Sequence, residues 1–419
     1  MTARPSRRQL LIGAAAGAAG LGVGGVLGAT VGSGSDAPSG TAPRSGEAPV
    51  AGGGPAAGGG DADGGGVVDP HGVHQAGIAS PVQPWVSVVA LDLRARTDRG
   101  GIGRLLRAWT DDIRALTTGA PTTADTSPEL AGDPAGLTVT VGVGPAVVRR
   151  AGAPGGWPDV EALPVMTHDV LQEDRCAGDL LLTVGAGNAL TVWHAVRRLV
   201  ADAAPFARPR WMQRGFWRHG RPGAPDAVGR NLMGQVDGTA NPPPGSPLFE
   251  RTVWVRDDPP WLVGGTMAVV RRIRMNLDTW DLLPRSRQEA VIGRTLTDGA
   301  PLGGGVGDPL PLTARGTGGA LVIAPDAHAR LAHPSSNGGA RIYRRGVNYD
   351  DGLDAAGRPD VGLLFISYQA SVTRQLLPIL TRLDRADALN VWTTTTASSV
   401  FAILPGFGPD GWLGQRLVG

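Results

Sequence analysis

Residues 84–117, PWVSVVALDLRARTDRGGIGRLLRAWTDDIRALT, place two kinds of regular structure next to each other. The first part, residues 84–93, is a run of apolar and β-branched residues that predicts a strand. The second part, residues 99–117, repeats apolar residues at the intervals of an amphipathic helix, namely at Ile102, Leu105, Leu106, Trp109, Ile113 and Leu116. The stretch therefore predicts a strand followed by a helix.

The rest of the chain continues this mixture in two halves. Residues 136–144 and 179–187 predict strands, and residues 188–203 predict a helix. The second half predicts strands at 266–276, 319–325 and 361–369, and helices at 286–296 and 372–386, where Pro378 must bend or restart the helix. Strands and helices do not alternate as regularly as in a doubly wound parallel sheet. We therefore expect an α+β fold of two related halves, each an antiparallel sheet covered by helices.

Composition excludes several classes of function. The chain has 419 residues, enough for two domains, and its net charge is only +2 with scattered arginines, which argues against a nucleic-acid-binding protein. It contains no lysine, which excludes a Schiff-base lysine and a P-loop lysine. Because Cys176 is the only cysteine, an intramolecular disulfide, a Cys-rich zinc site, an iron–sulfur cluster and covalent haem attachment through Cys-x-x-Cys-His are all excluded.

The N-terminus predicts an export signal. Arg7 and Arg8 precede a weakly apolar run rich in Gly and Ala, so residues 1–35 are interpreted as a twin-Arg signal peptide rather than a tail with a chance Arg-Arg pair. Residues 36–68 are a Gly/Ala/Pro-rich linker that cannot bury enough apolar surface to fold. We expect the twin-Arg translocase as an export partner, no integral membrane segment in the mature protein, and an extracellular or cell-envelope location.

One acidic residue stands between two glycines in LMGQVDGTANP, residues 232–242. Asp-Gly ordinarily marks a turn, so Asp237 alone is weak evidence for chemistry. Farther along, in APDAHARLAHP, Asp326 is expected to cap a short helix that begins near His328. A histidine there suits a single axial metal ligand, although a lone histidine is ordinarily structural. Pro334 ends this helix, which makes His333 more suitable as a helix-end contact.

Two adjacent arginines follow in RIYRRG, residues 341–346. On a strand, Tyr343 and Arg345 share one face and Arg344 lies on the other. Adjacent arginines are ordinarily solvated. An inward-facing arginine beside a carboxylate, however, is suited to polarising a bound oxygen species.

Four blocks together resemble the dye-decolourising peroxidases, a family of haem proteins. They are GQVDGTANP (234–242), HARLAHP (328–334), RRG (344–346) and LLFISYQ (363–369), with support in the same order from HQAGI (74–78), WLVGGTM (261–267) and IGRTLTDGAPLG (292–303). The resemblance covers about residues 70–419. The twin-Arg leader is typical of one branch of the family, which includes the haem peroxidase of a bacterial iron-uptake system.

The resemblance implies a fold and a cofactor. The fold is two ferredoxin-like domains of the dimeric α+β barrel type, with domains at residues 69–235 and 236–419. The cofactor is non-covalent haem b.

The resemblance also implies a role for individual residues. His328 matches the proximal ligand of the haem iron, Asp237 the distal carboxylate and Arg344 the distal arginine. The remaining haem-binding matches are Gly238, Thr239, Ala240, His333, Pro334, Ser335, Leu363 and Phe365, of which Leu363 and Phe365 shape the distal pocket. His333 replaces the Asn more often seen before that proline, so two histidines lie five residues apart.

The expected function is a peroxidase that uses hydrogen peroxide to oxidise dyes, phenolics or other bulky reductants. Asp237 would move a proton between the peroxide oxygens, and Arg344 would keep Asp237 anionic and stabilise the developing charge, giving a ferryl intermediate. Because a carboxyl group ordinarily titrates near pH ~4, we expect an acidic optimum. Tyr343 is the first candidate for electron transfer. The alternatives are a deferrochelatase-like protein that releases iron from haem, and a non-catalytic haem-binding protein.

Overall fold

The computed structural model describes residues 66–220 and 228–419, and the structural statements below concern these two ranges. The predicted signal peptide and nearly all of the predicted linker lie outside them. The strands are β1 (Trp85–Leu93), β2 (Thr138–Val143), β3 (Leu180–Ala186), β4 (Ala207–Phe216), β5 (Thr266–Met275), β6 (Tyr343–Arg344), β7 (Val347–Leu353), β8 (Pro359–Gln369) and β9 (Thr393–Ile403).

The α-helices are α1 (Arg99–Thr117), α2 (Pro145–Ala151), α3 (Ala189–Ala203), α4 (Pro247–Val253), α5 (Leu277–Trp280), α6 (Arg285–Ile292), α7 (His328–Leu331), α8 (Leu377–Ala386) and α9 (Gln415–Val418). A π-helical turn, Val372–Leu376, leads directly into α8. Short 3-10 helices are Pro128–Leu130, Glu173–Arg175, Pro260–Leu262, Pro334–Ser336 and Ala388–Val391. Among the described residues, no helix is both long enough and apolar enough to cross a membrane.

The strands form one antiparallel sheet that closes on itself. Their order is β5-β9-β2-β3-β1-β4-β7-β8-β6, and β8 also pairs with β5, from Met267 opposite Gln369 to Arg274 opposite Gly362. This last pairing joins the two ends of the sheet, so the strands form a barrel. The prediction of an α+β fold built on antiparallel strands is confirmed.

Helices connect several of the strands in each half of the barrel. In the first half, α1 connects β1 to β2 and α3 connects β3 to β4, and the strands lie in the order β4-β1-β3-β2. In the second half, α5 and α6 follow β5, α8 connects β8 to β9, and the order is β9-β5-β8-β7. The domain boundary between residues 235 and 236 stays a prediction.

Two hydrophobic layers hold the barrel. The residues of β1 belong to both layers. Val89 and Leu91 pack with α1 and α3, whereas Val86 and Val88 pack with residues of β5, β8 and β9. The first layer lies between the barrel and its helices, and the second lies on the opposite, inner side of the strands. Trp109 of α1 is fully buried in the first layer, and its Nε1 donates a hydrogen bond to the Leu199 carbonyl oxygen of α3 at 2.8 Å.

Most of the predicted elements are present, with three corrections. The expected strand at 319–325 is wrong: only an isolated bridge between Arg315 and Leu321 forms there, because Gly318 and Gly319 both have positive φ and turn the chain. The helix expected at 286–296 ends at Ile292, where Gly293 has a φ of +87°. Strands β4, β7 and β9 were not predicted. The expected restart at Pro378 is confirmed, since Pro378 lies in the first turn of α8 after the π-helical turn.

Candidate active site

Asp237 and Arg344 form an ion pair. The distance from Arg344 Nη1 to Asp237 Oδ1 is 2.9 Å, and the side chains are 29% and 14% exposed, respectively. Asn231 Nδ2 donates a weak hydrogen bond to the other carboxylate oxygen at 3.4 Å. The pair is therefore partly shielded from solvent but still accessible from one side, as a group that receives a small substrate must be.

The loop around Asp237 is held by its backbone and by Asn241. Gly234 and Gly238 have φ values of +80° and +96°, which favour glycine on each side of the acid. The backbone N–H of Asp237 donates to the Gly229 carbonyl oxygen at 3.0 Å. Asn241 binds both backbone groups of Arg344: its Nδ2 donates to the carbonyl oxygen at 2.7 Å, and its Oδ1 accepts from the N–H at 3.0 Å. One amide thus ties the Asp237 loop to strand β6.

His328 is the first residue of α7, and its ring is oriented by a buried carboxylate. His328 Nδ1 lies 2.6 Å from Asp387 Oδ2, and the side chains are 32% and 3% exposed. Asp387 Oδ1 also accepts from the Leu389 backbone N–H at 2.9 Å. A carboxylate at Nδ1 makes that nitrogen the N–H donor, which leaves the lone pair of Nε2 free for a metal.

Neighbouring charges shift the pKa of His328 in opposite directions. Burial alone lowers the pKa of His328, but the Asp387 carboxylate opposes this, and the net pKa lies above its usual value. Arg344 acts on the His328 pKa in the lowering direction and Asp237 in the raising direction. Three predicted site residues from distant parts of the chain therefore lie close enough to sense one another.

The expected cap of α7 is wrong. Ala327, not Asp326, precedes the helix, and no side chain caps it. The carbonyl oxygen of Asp326 instead accepts from the Ala388 N–H at 3.0 Å. This bond fixes the start of α7 beside the short helix that begins after Asp387.

His333 has a different environment from His328. It caps the 3-10 helix Pro334–Ser336, where its Nδ1 contacts Ser335 Oγ at 2.7 Å and accepts from the Ser335 N–H at 3.2 Å. Burial, and then the charges of Arg341 and Arg294, lower the His333 pKa. The helix-end contact expected for His333 is therefore present, together with Pro334 and Ser335.

An apolar cluster includes Met233, from the segment before Asp237, and contacts Ala388 and Leu389, which follow Asp387. Leu363 is buried in a cluster with Met233, Met275, Trp280, Val291 and Ile292, and half-buried Phe365 packs against the same cluster. Leu364, between them on β8, packs in the other hydrophobic layer. The expectation that Leu363 and Phe365 share one strand face agrees with this packing. Thr239 and Ala240 are exposed beyond Gly238.

Tyr343 and Arg345 are buried, at 7% and 6% exposure, whereas Arg344 between them is half-buried. Arg345 donates to the carbonyl oxygens of Ser80 and Pro81 and, at 2.8 Å, to Gln83 Oε1. Arg345 therefore holds the segment that precedes β1 in place through these hydrogen bonds. Only Arg344 of the two adjacent arginines points toward the site.

The residues fit a non-covalent haem on three observations. Among the described residues no hydrogen bond engages Nε2 of His328, an apolar cluster includes residues next to Asp237 and Asp387 along the chain, and the charges of Arg341 and Arg294 act on His333. Arg294 donates to the Gly299 carbonyl oxygen at 2.8 Å, and burial, followed by the charge of Arg344, lowers its pKa. Among the described residues no carboxylate pairs with Arg294, so a carboxylate-bearing cofactor matches this charge.

Two groups of the site were missed from the sequence. Asp387 is distant from His328 along the chain, and nothing in its neighbourhood singles it out. Asn241 lies inside the quoted GQVDGTANP block, but its bonds to the Arg344 backbone depend on the fold.

Comparison with known proteins identifies relatives over most of the chain. The family model described as Dyp-type peroxidase, N-terminal, matches residues 75–217, and the one described as Dyp-type peroxidase, C-terminal, matches residues 228–407. A dye-decolorizing peroxidase from Thermobifida fusca is 42% identical over 359 residues, covering 82% of this chain and 83% of the relative. A deferrochelatase from Yersinia pseudotuberculosis is 35% identical over 354 residues, covering 80% and 81%.

A solved structure agrees with the fold. The X-ray generated oxyferrous/water mixed complex of DtpA from Streptomyces lividans has a TM-score of 0.79 and 41% sequence identity. The match covers 85% of this chain and 98% of that one.

Proposed function

This chain belongs to the Dyp-type peroxidase family, and we propose that Asp237 and Arg344 carry out its peroxide chemistry beside a haem held by His328. The chain is a haem peroxidase that binds haem b non-covalently and oxidises a reductant with hydrogen peroxide. The observation that carries the residue assignment is the 2.9 Å ion pair between Asp237 and Arg344, whose charges both act on His328.

His328 is the proposed iron ligand. Its Nδ1 is engaged by Asp387, which holds the ring in one orientation and makes Nε2 more basic. In the described ranges no carboxylate pairs with His333, and its Nδ1 is engaged by Ser335. This difference favours His328 over His333. Gly238, Thr239, Ala240, His333, Pro334, Ser335, Leu363 and Phe365 are the proposed surroundings of the cofactor.

Asp237 is the proposed proton carrier. The bound haem supplies the iron at which peroxide is reduced. Asp237 accepts a proton from one peroxide oxygen and delivers it to the other, which leaves as water. The carboxylate can perform both steps because its ion pair with Arg344 uses Oδ1, while Oδ2 makes, among the described residues, only the weak contact with Asn231.

Arg344 positions this carboxylate and stabilises charge. Its backbone is held by Asn241, so the guanidinium starts from a fixed point on β6. A guanidinium is a fixed positive charge that stabilises negative charge developing on a separating oxygen. The two side chains therefore act as one unit, in which Asp237 moves the proton and Arg344 compensates the charge.

The proposed reductants are dyes, phenolics or other bulky donors, with Tyr343 as the first residue of an electron-transfer route. Release of iron from haem and haem binding without turnover are not favoured. The relative named as a dye-decolorizing peroxidase shares 42% identity with this chain, against 35% for the deferrochelatase.

Replacing Asp237→Asn tests the proposal. The variant is expected to keep its Soret band, because His328 is unchanged, while the Soret change on stopped-flow mixing with peroxide slows by about 10²–10⁴-fold. Asp92→Asn is the matched control, since Asp92 is another carboxylate paired with an arginine, at 3.3 Å from Arg210, on strand β1. An Asp237→Asn protein that reacts at the wild-type rate would remove this residue from the mechanism.

The architecture of each half of the barrel is also part of the proposal. We infer that each half is a ferredoxin-like unit. The first half supports this with the order β1-α1-β2-β3-α3-β4, with α2 added between β2 and β3, and the second with β5-α6-β7-β8-α8-β9, with the short elements α5, α7 and β6 added. The strand orders of the two halves are also equivalent.

Export by the twin-Arg translocase to the cell envelope or the exterior is proposed from Arg7, Arg8 and the Gly/Ala-rich run that follows. On this leader we assign the chain to the twin-Arg-exported branch of the family. Cell fractionation tests this: replacing both arginines with lysine is expected to retain the protein in the cytoplasm, and unchanged export would refute the assignment.

A further inference from the structure

Tyr343 cannot by itself serve a bulky reductant. Its side chain is only 7% exposed, and Arg345, not Arg344, lies on its face of the strand. An electron that Tyr343 gives to the active site must therefore be replaced from another group. The following inference rests on the proposed function and concerns where that electron enters the protein.

Aromatic rings continue from Tyr343 toward the surface. The Phe249 ring centroid lies 5.0 Å from that of Tyr343, with the planes at 85°. Phe249 also lies 5.8 Å from Trp254, at 80°. Trp254 stacks on His74, with centroids 3.7 Å apart and planes within 6°. Four rings thus form a continuous series of contacts.

The histidine at the outer end of this series is oriented by a backbone hydrogen bond. His74 Nδ1 lies 2.6 Å from the Gly264 carbonyl oxygen. A carbonyl oxygen only accepts hydrogen bonds, so Nδ1 carries a hydrogen, and in the neutral imidazole Nε2 is the proton acceptor. His74 is half-buried, and the neighbouring Val73 is 73% exposed. The neutral imidazole therefore offers a proton acceptor at a half-buried position. It also connects the HQAGI and WLVGGTM blocks of the sequence.

Trp254, unlike His74, has no hydrogen-bonded group with which its ring N–H could exchange a proton among the described residues. It is 5% exposed, and its Nε1 has no hydrogen-bond partner within residues 66–220 and 228–419. An indole that loses an electron there has no neighbouring group to take its proton. Trp254 can thus pass an electron without moving a proton, while His74 can take a proton from a molecule in contact with it.

We propose that the stacked His74–Trp254 pair is a surface oxidation site for phenolic reductants, in which Trp254 receives the electron and His74 Nε2 the phenolic proton. Trp254 first gives one electron inward, past Phe249, to Tyr343 and the active site. A phenol then gives an electron to the oxidised Trp254 and its hydroxyl proton to His74 Nε2. The phenol leaves as a phenoxyl radical. Two phenols supply the two electrons and two protons that convert one hydrogen peroxide into two waters.

Other exposed indoles lack such a connection. Trp85 and Trp193 are 45% and 46% exposed, but in the described part of the chain no aromatic contact joins either to Tyr343. Trp193 is instead covered on one face by Arg197, at 5.4 Å. Trp193 is therefore a suitable control: an exposed tryptophan without a ring path to the active site.

The test uses the haem-loaded enzyme and two donors. Phenol tethered to dextran cannot enter a buried site, and ferrocyanide gives an electron without a proton. Trp254→Phe is expected to lower kcat/KM for tethered phenol by at least about tenfold. His74→Phe is expected to lower it by about 10²-fold, as for loss of a general base, while ferrocyanide oxidation is retained. Trp193→Phe is expected to match wild type with both donors.

Two further measurements separate this inference from the proposed function. The Soret change on mixing with peroxide is expected at the wild-type rate in all three variants, so a failure of the Asp237 chemistry appears there and not in the phenol rates. Freeze-quench electron paramagnetic resonance is expected to show a tryptophan radical that Trp254→Phe removes.

If Trp254→Phe does not fold, His74→Gln, at the half-buried position, replaces it. Wild-type rates with tethered phenol in the His74 and Trp254 variants would overturn the proposal, and an equal loss with both donors in His74→Phe would overturn the proton transfer.

Discussion

Replacing Asp112→Asn is expected to give a variant whose free energy of unfolding increases, compared with that of wild type, as the pH rises. Asp112 lies on α1, is 8% exposed, and its Oδ2 has no hydrogen-bond partner among the described residues. Burial, followed by the charge of Asp202 and a hydrogen bond with it, raises the pKa of Asp112 to about 7. Arg198, 3.2 Å from Asp202, offsets only part of this.

The sign and the magnitude follow from this shift. The folded state keeps the Asp112 proton to a higher pH than the unfolded state, so the stabilisation is complete below the ordinary pKa of 3.8 and is lost as the pH rises through about 7. One pKa unit corresponds to about 1.4 kcal/mol, so the loss amounts to at most about 4 kcal/mol. Asparagine stays neutral and does not incur this loss.

Urea denaturation at about pH 4 and about pH 8 measures the effect, with the free energy of unfolding of the variant compared with wild type at each pH. The pH-independent cost of the substitution cancels in the difference between the two comparisons. Asp111→Asn is the control, because Asp111 is the adjacent carboxylate, is 75% exposed and pairs with Arg114. If the advantage of Asp112→Asn is the same at both pH values, or larger at the acidic one, the reasoning is refuted.

Two further predictions concern the active site. Asp387→Asn removes the carboxylate that orients His328, so haem affinity is expected to fall by about 10–100-fold, measured as faster haem transfer to apomyoglobin; an unchanged transfer rate would show that Asp387 does not support the ligand. Asn241→Ala removes both hydrogen bonds to the Arg344 backbone and is expected to slow the peroxide reaction about tenfold with the Soret band retained; loss of the Soret band, or an unchanged rate, would contradict this role.

The helices of the first half were predictable because their information is local. Helix α1 begins and ends where the apolar stripe does, and Asp98 caps it by accepting from the Gly101 N–H at 2.7 Å. Asn188 caps α3 in the same way, at 2.8 Å from the Leu190 N–H. A stripe and a cap within a few residues decide such elements.

Strand β9 was not predictable because its partners are distant. Its Thr395 and Thr396 accept hydrogen bonds, at 2.9 and 3.0 Å, from Arg271 and Arg272 of β5, which are both buried. A strand that buries hydroxyl groups against arginines does not show the alternation of apolar and polar residues that marks a strand in sequence. The fold, not the residue pattern of β9, satisfies these groups.

The candidate site, like β9, could be predicted only where the sequence carries a local pattern. Asp237, His328 and Arg344 were each weak evidence alone, and their selection came from four blocks in a fixed order. The ion pair of Asp237 with Arg344 then agrees with that selection. Asp387 could not be selected in this way. A carboxylate that orients a histidine needs only the right position in space, and no sequence pattern around Asp387 indicates that position.

The first half of the barrel supplies none of the candidate catalytic residues, yet it holds the helix that leads to Asp387. Asp159 accepts hydrogen bonds from the Ser371 hydroxyl and the Val372 N–H, both at 2.8 Å, at the start of the π-helical turn. Near the other end of α8, Thr167 donates two hydrogen bonds to Asp384, at 2.8 and 2.9 Å. Asp387 directly follows α8 as its C-cap. The segment between β2 and β3 therefore fixes both ends of the element that positions the partner of His328, so the site depends on both halves of the chain although its chemistry belongs to one.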